Sequence, residues 1–403
     1  MTSRADSRPL AGARYASQTR YCEIATADDP LVLHDGRTLG PCTLAYETYG
    51  ELNAARDNAV LVFHALSGHQ HAAGYDPVGP DNGLWSDECH LGWWDPFIGP
   101  GRALDTRRYF VICANYLGGC YGSTGPSSLD PASGRPWGSR FPWPTLGDLV
   151  DSQLRLLDRL GIERLLATTG GSLGGMCAME LACRYPERVR CVIPIASGLR
   201  ATVLSKALNF EQIFAIQEDP AFCRGDYYDG PAPQRGLALA RMISHKTFVS
   251  LEVLRARARA EIVQPEDYLP TYRLQDQVES YMLHQGRKFV RRFDANSYLR
   301  ISNAWQAFDL PRDRGGGDAR RALAPCQGQR WLLFSIDSDV CFYPPEQAEI
   351  AEVLRALAIP LQYVTVHSDK GHDAFLLEPE LFQPHISFAL EQTATAMHGE
   401  PRR

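Results

Sequence analysis

Residues 165–185 read LLATTGGSLGGMCAMELACRY. Leu165 to Thr169 form a short uncharged run, the pattern of a strand covered on both faces. Met176 to Tyr185 reads as a helix, stopped by Pro186. Between them lies Gly170-Gly171-Ser172-Leu173-Gly174, a match to G-x-S-x-G. The five-residue pattern alone is weak. A strand before it and a helix after it make it informative, because a nucleophilic serine displayed on a sharp strand-to-helix turn needs that setting. Such a serine sits in a strained backbone conformation, and flanking glycines let strand and helix approach. The turn places the hydroxyl at a helix N-terminus, where backbone N–H groups can hold a developing negative charge. The plainer reading is a tight glycine turn without chemistry, and the rest of the chain decides between them.

Outward from this turn the alternation repeats. Ala59 to Phe63, Tyr109 to Ala114 and Val189 to Ala196 are further short apolar runs, and Trp331 to Ser335 and Leu361 to Val366 follow late. Residues 41–50, PCTLAYETYG, alternate apolar and polar as an early strand does. Thr145 to Leu160 carries Leu146, Leu149, Val150, Leu154 and Leu157 at helical spacing, and Glu346 to Leu357 is a later helix. The order predicts an α/β fold, a mostly parallel central sheet with helices on both faces. From about Leu199 to Gly317 the strands vanish and long helical patterns take over. Strand and helix then resume at once, so residues 199–317 are expected to be a helical lid inserted into a core of 21–198 and 318–397. Residues 1–20, polar and arginine-rich, are expected to be a disordered extension.

Composition removes several classes of function. The formal charge is −6 with both signs interspersed, so nothing points to nucleic acid or an anionic membrane. No apolar stretch is long enough to span a bilayer. The eleven cysteines form no CxxC pair, and several sit in apolar runs. They read as reduced, buried thiols of a cytoplasmic protein rather than a zinc site or a disulfide framework. The N-terminus lacks the apolar segment of a secretory signal.

A serine displayed on such a turn needs an acid and then a histidine later in the chain. Asp337 and Asp339 both follow the strand ending at Ser335, and His367 and His372 both follow the last strand. His372 is preferred because Gly371 permits a tight loop that aims the ring. The histidine would take the serine proton, and the acid would fix its tautomer and stabilise the imidazolium. An oxyanion hole needs two N–H groups. One is expected from Leu173, and the other from the loop His64-Ala65-Leu66-Ser67-Gly68, with Leu66 the leading donor.

Longer stretches narrow the reading. They are HALSG at 64–68, GWWD at 92–95, YFVICANYLGGCYGSTGPSS at 109–128, GGSLGGM at 170–176, VESY at 278–281, FDANSYL at 293–299, Ser338-Asp339, and GHDAFL at 371–376. Over roughly residues 40–390 the chain resembles the homoserine O-acyltransferases of the α/β-hydrolase fold. The resemblance implies Ser172, Asp339 and His372 as the triad, which selects Asp339 over Asp337 and His372 over His367. It implies that Arg241 binds the acceptor's carboxylate and Asp373 its ammonium, and that the lid carries a homodimer contact. Arginine suits the first role, since its planar fork meets a carboxylate with two hydrogen bonds. Without the resemblance, Arg241 reads as a solvated helix charge. Two departures stand out: Ser67 replaces the family's threonine, and EVLRARARAE at 252–261 lacks the expected phenylalanine-glycine pattern.

The expected reaction is acyl transfer from an acyl-CoA to L-homoserine, with no metal or resident cofactor. The resemblance also places an arginine two residues past the acid in succinyl-using members. Here that position is Cys341. Burying a succinyl carboxylate without a cation would be costly, so acetyl-CoA is the expected co-substrate. The alternatives are succinyl-CoA as donor, L-serine as acceptor, and a plain esterase or thioesterase.

Overall fold

The computed structural model describes residues 17–260, 269 and 271–399. Its strands are β1 (Arg20–Ala25), β2 (Leu31–Val32), β3 (Thr38–Leu39), β4 (Cys42–Tyr49), β5 (Ala59–Phe63), β6 (Phe110–Ala114), β7 (Leu165–Gly171), β8 (Val189–Ile195), β9 (Arg330–Ile336) and β10 (Leu361–Val366). Eight of them form one sheet in the order β1-β4-β6-β5-β7-β8-β9-β10, and β2 and β3 make a separate small hairpin. From β6 to β10 every neighbour is parallel, while β4 is antiparallel to both β1 and β6. This is the α/β-hydrolase architecture expected from the sequence.

The helices are α1 (Leu146–Arg159), α2 (Leu173–Arg184), α3 (Val203–Gln217), α4 (Gln234–Phe248), α5 (Leu251–Ala260), α6 (Gln277–Val290), α7 (Ala295–Ala307), α8 (Leu310–Gly315), α9 (Ala319–Leu323), α10 (Pro344–Ala356), α11 (Ala374–Leu377) and α12 (Pro379–Gly399). Thr145 and Asp148 close α1 as a reciprocal cap. The residues of β5 point alternately into two apolar layers. Leu61 and Phe63 lie in the same apolar layer as Leu149 and Leu181, and Val60 and Val62 in the opposite layer with Phe334 and Ile386. Each such side chain, fully buried, contributes about 1.5–3 kcal/mol.

The register brings the reactive loops together. Phe63 of β5 is level with Gly170 of β7, and Gly171 is level with Ile195 of β8. Ile195 is level with Phe334 of β9, and Ile336 with Val366 of β10. The loops carrying His64, Ser172, Ser197, Asp339 and His372 therefore all leave the carboxyl ends of neighbouring parallel strands, where sheets of this kind bind ligands.

Two expectations need correction. Helix α2 begins at Leu173, not Met176. Gly174 and Gly175 are part of the helix, and both are glycine for want of space: a Cβ would lie 2.3 Å from the Phe63 carbonyl oxygen at Gly174 and 2.7 Å from the Ser197 side chain at Gly175. Residues 17–20 are also not an extension: Arg20 opens β1, and Thr19 hydrogen-bonds Glu47 in the interior. Residues 1–16 lie outside the described residues.

Between β8 and β9 the described chain is helical, from α3 to α9. Arg300 of α7 fastens it to the core. Its buried guanidinium donates to the carbonyls of Ser139, Phe141 and Pro142 at 3.0–3.1 Å and lies 3.8 Å over the Trp143 ring. On the outer surface, Val203, Phe210 and Phe214 of α3 are exposed.

Candidate active site

Ser172 stands between β7 and α2 at φ 61°, ψ −128°, the left-handed half of the map that a non-glycine residue enters only under constraint. The constraint is visible. Its N–H donates to the Ile195 carbonyl at 2.9 Å, and its own carbonyl accepts from Ser197 Oγ at 2.8 Å. A Cβ on Gly174 would lie 2.3 Å from the Phe63 carbonyl oxygen, and one on Gly170 would lie 2.6 Å from it. The elbow thus packs directly on the end of β5, and only glycine fits at both places.

The two aspartate–histidine candidates sort themselves into two pairs. His372 Nδ1–H donates to Asp339 Oδ2 at 2.6 Å, with side chains 4% and 0% exposed. His367 pairs with Asp337 at 2.8 Å, with side chains 83% and 42% exposed. The other oxygen of Asp339 accepts the N–H groups of Cys341 at 2.7 Å and Phe342 at 3.0 Å, which fixes the carboxylate plane. The imidazole of His372 stacks on Phe342 at 5.5 Å and meets the edge of Phe375 at 5.4 Å. Its Nε2 is buried and has no hydrogen-bond partner among the described residues. Gly371 sets the loop: its φ is 72°, its N–H donates to Ser338 Oγ at 3.1 Å, and a Cβ there would lie 2.6 Å from the Ser250 nitrogen.

Burial is the largest influence on the His372 imidazole and pushes its pKa down. The charge and hydrogen bond of Asp339, helped by Asp373 and Glu346, override it and leave the group above its ordinary value. Burial raises the Asp373 carboxyl, and His372, Arg241 and Arg257 partly offset that. Glu346 is pushed up to about 7 by burial, with Asp339 and Glu349 adding to it. These acids and bases share one electrostatic neighbourhood at the carboxyl end of β9 and β10.

Arg241 reaches this neighbourhood from α4. Its guanidinium lies 5.1 Å from the rings of both Phe248 and Phe289, and burial together with nearby Arg292 lowers its pKa to about 10, so it stays charged at neutral pH. Among the described residues no carboxylate forms an ion pair with it. Leu173 is the first residue of α2, so its N–H has no acceptor within the helix. Leu66 sits in the loop beyond β5, which turns at Gly68 N–H to Ala65 O. The Cys341 side chain is buried. It lines a narrow cleft between the acid loop and the helices above it, with Ser205, Asn209, Gln212, Thr247 and Trp305, and no charged side chain borders that cleft among the described residues.

One cluster of metal-capable side chains occurs among the described residues, His34 with Asp148 and Asp151. Asp148 and Asp151 lie on α1 and His34 follows β2, and Asp151 is already engaged by Arg184 at 2.8 Å and Tyr185 at 2.7 Å. No helix among the described residues is long and apolar enough to cross a membrane.

Comparison with known proteins then gives the lineage. A profile of the alpha/beta hydrolase fold matches residues 58–379. The homoserine O-acetyltransferase of Symbiobacterium thermophilum is 46% identical over 93% of this chain and 96% of its own. The chain belongs to the homoserine O-acetyltransferase family of that fold. Within this kinship the homoserine O-succinyltransferase of Aromatoleum aromaticum is nearly as similar, 45% identical over 87% of this chain and 91% of its own. Among solved structures, homoserine O-acetyltransferase from Bacillus anthracis superposes with a TM-score of 0.80 at 26% identity, covering 93% of this chain and 97% of that one. Esterase E22 gives 0.81 at 25% identity, covering 93% and 100%.

The structure adds members to the site that sequence reasoning passed over. Ser197 holds the Ser172 carbonyl, Ser338 holds Gly371, and Phe342 supports the imidazole. A signal existed for Ser197: a Ser-Gly pair directly after the parallel strand beside the elbow strand. Phe342 had none, since an aromatic residue after an acid is usually packing.

Proposed function

We propose that this protein transfers an acetyl group from acetyl-CoA to the hydroxyl of L-homoserine by a ping-pong mechanism, giving O-acetyl-L-homoserine for methionine biosynthesis. His372 Nε2 takes the Ser172 proton as the oxygen attacks the thioester carbonyl. The Leu66 and Leu173 N–H groups hold the oxyanion. The C–S bond breaks, CoA leaves as thiol with the proton from His372, and the acyl group remains on Ser172. Homoserine's hydroxyl then attacks, giving its proton to His372, which returns it to Ser172 as product departs. Asp339 holds the imidazole in register and stabilises its charged form throughout.

The observation that carries this reading is a fixed cation and a fixed carboxylate, Arg241 and Asp373, beside a buried imidazole whose Nε2 is free among the described residues. Opposite charges so placed match the carboxylate and ammonium of an amino acid. The uncharged cleft at Cys341 supports acetyl over succinyl as the group transferred. The reading also holds that the enzyme needs no metal or resident cofactor, works in the cytoplasm, and dimerises through the helical insertion, which the exposed Val203, Phe210 and Phe214 support. A second reading, hydrolysis of an ester, is favoured by the likeness to esterase E22. Thiol release from acetyl-CoA with and without L-homoserine separates them. Release that depends on homoserine, with parallel initial-rate lines, is the expected result; equal release without acceptor would establish a hydrolase.

A further inference from the structure

Beyond the triad, a largely buried polar cluster holds the chain that leaves the Leu66 loop. Glu47 and Tyr49 project from β4 on one side of the sheet, two residues apart. His71 lies between Glu47 and the loop at His90, and all three side chains are buried. Its Nδ1 is 2.9 Å from Glu47 Oε2, and its Nε2 is 3.1 Å from the His90 carbonyl oxygen. A carbonyl oxygen can only accept, so Nε2 carries a proton. Nδ1 then faces a carboxylate, and the pair shares one further proton across that contact.

The same carboxylate gathers the rest. Tyr49 OH donates to Glu47 at 2.9 Å and accepts the N–H groups of Ala72 at 2.7 Å and Ala73 at 3.0 Å. Thr19 Oγ1 donates to Glu47 at 3.1 Å and accepts from Gln70 Nε2 at 2.9 Å, and the Ser17 hydroxyl bonds Glu47 as well. Residues 70–73 are thus tied to β4 and to the segment before β1. On the other side, Tyr116 OH donates to the His64 carbonyl at 2.6 Å and Arg292 Nη1 to the Ser67 carbonyl at 3.1 Å. Leu66 lies between His64 and Ser67, and the chain runs from there directly into the anchored residues 70–73.

We infer that Glu47, Tyr49 and His71 are positioning residues for acyl transfer, a proton-sharing anchor that fixes the direction of the Leu66 N–H. The inference rests on the reading of Leu66 as an oxyanion donor. Such a donor works only when preorganised, and small misplacements of a reacting geometry are expensive in rate. Tyr49→Phe removes the hydroxyl shared by Glu47, the Gln70 carbonyl and the Ala72 and Ala73 N–H groups, and leaves the ring that fills the space.

The test uses the full-length enzyme with acetyl-CoA and L-homoserine, with p-nitrophenyl acetate as a second acyl donor. Tyr49→Phe should lower kcat about tenfold with the KM for homoserine nearly unchanged. It should slow the burst of nitrophenol by the same factor, because the oxyanion forms in acylation by either donor. Glu47→Gln, which keeps an acceptor but loses the charge facing His71, should restore part of what Glu47→Ala loses. If Tyr49→Phe does not fold, Thr19→Val reads the same effect at about threefold. A lower Tm with unchanged kcat and burst rate would make the cluster merely structural and overturn the inference. Wild-type enzyme that shows no homoserine-dependent thiol release, while Tyr49→Phe still slows its nitrophenol burst, would remove the homoserine reading and leave the anchor standing.

Discussion

Two aspartate–histidine pairs hang from the same two strands, and they differ in little but burial. Asp337 and His367 leave the ends of β9 and β10 and meet at 2.8 Å on the surface; Asp339 and His372 follow two and five residues later and meet at 2.6 Å in the interior. The outer pair is surrounded by water, which screens its charges and competes for its hydrogen bonds. The inner pair has its second carboxylate oxygen filled by two backbone N–H groups and its ring clamped by Phe342 and Phe375. The comparison teaches what enclosure adds: the same two residue types form an exposed hydrogen-bonded pair outside and a buried, oriented imidazole inside, which is what the proposed base requires.

The largest effects should come from the inner group. Ser172→Ala or His372→Ala should reduce homoserine-dependent thiol release on the order of 10⁵-fold, and the double variant should be scarcely worse, since the residues act as one unit. Multiplicative losses measured in the double variant would break that unity. Intact-mass spectra should show an acetyl adduct on wild type and none on Ser172→Ala.

Asp339→Asn comes next, with a loss of about 10³- to 10⁴-fold in kcat. It also carries a pH signature. His372 must be neutral to accept a proton, so kcat/KM should rise with pH through its raised pKa. Asp339 is the main cause of that elevation, and burial pulls the other way. Removing the carboxylate charge should move the rising limb to lower pH. A limb that stays in place would mean another group sets it. The sign for stability is the reverse: a raised histidine pKa contributes stability below about 6.5, and that contribution is lost as pH climbs through the folded-state value.

Groups facing the inner pair should show intermediate effects. Arg241→Lys keeps charge but loses the fork, so the KM for homoserine should rise about 10- to 100-fold, with the KM for acetyl-CoA little changed. Equal changes in both constants would make Arg241 a packing residue held by Phe248 and Phe289. Cys341→Arg should then raise the succinyl-CoA to acetyl-CoA ratio of kcat/KM several-fold, by bringing a cation to an uncharged cleft. A ratio that already favours succinyl-CoA in wild type would reverse the donor assignment.

Much of this is legible in the sequence alone, and the reason is periodicity. The five core parallel strands are buried on both faces and so read as plain apolar runs, and the elbow stands out between one of them and a helix. Strand β1 was missed because it is an edge strand whose RYCEIA is half exposed, so no apolar run marks it. The sequence places the start of α2 three residues late, because Gly174 and Gly175 are poor helix formers and only the packed elbow, with Phe63 against Gly174, holds them in the helix. Choosing between Asp337 and Asp339 was beyond local reasoning, since both follow the same strand and only three-dimensional burial separates them. Arg241 was invisible for the same reason: a helix pattern says which face is apolar, not which polar group looks into a site. The anchor of Glu47, Tyr49 and His71 joins β4 to a loop more than twenty residues away, and no window-sized pattern can report such a contact.

The smallest expected effect closes the comparison from its other side. Asp337→Asn should leave kcat and both KM values within about twofold of wild type and shift stability by no more than about 0.5 kcal/mol, as exposed pairs do. The Asp337 carboxyl is held below its ordinary pKa; burial opposes this, and the His367 hydrogen bond and the Ser368 N–H overcome it. A lowered carboxyl contributes stability above its unfolded value near 3.9 and loses it as pH falls through the folded value, so any loss in the variant should appear at neutral pH and fade in acid. The two asparagine variants therefore share a substitution and a strand, and should differ in kcat by about three orders of magnitude. If Asp337→Asn instead cut turnover tenfold or more, the surface pair would be coupled to the inner one through the Ser338 and Gly371 contact, and enclosure alone would no longer explain why one pair does chemistry and the other does not.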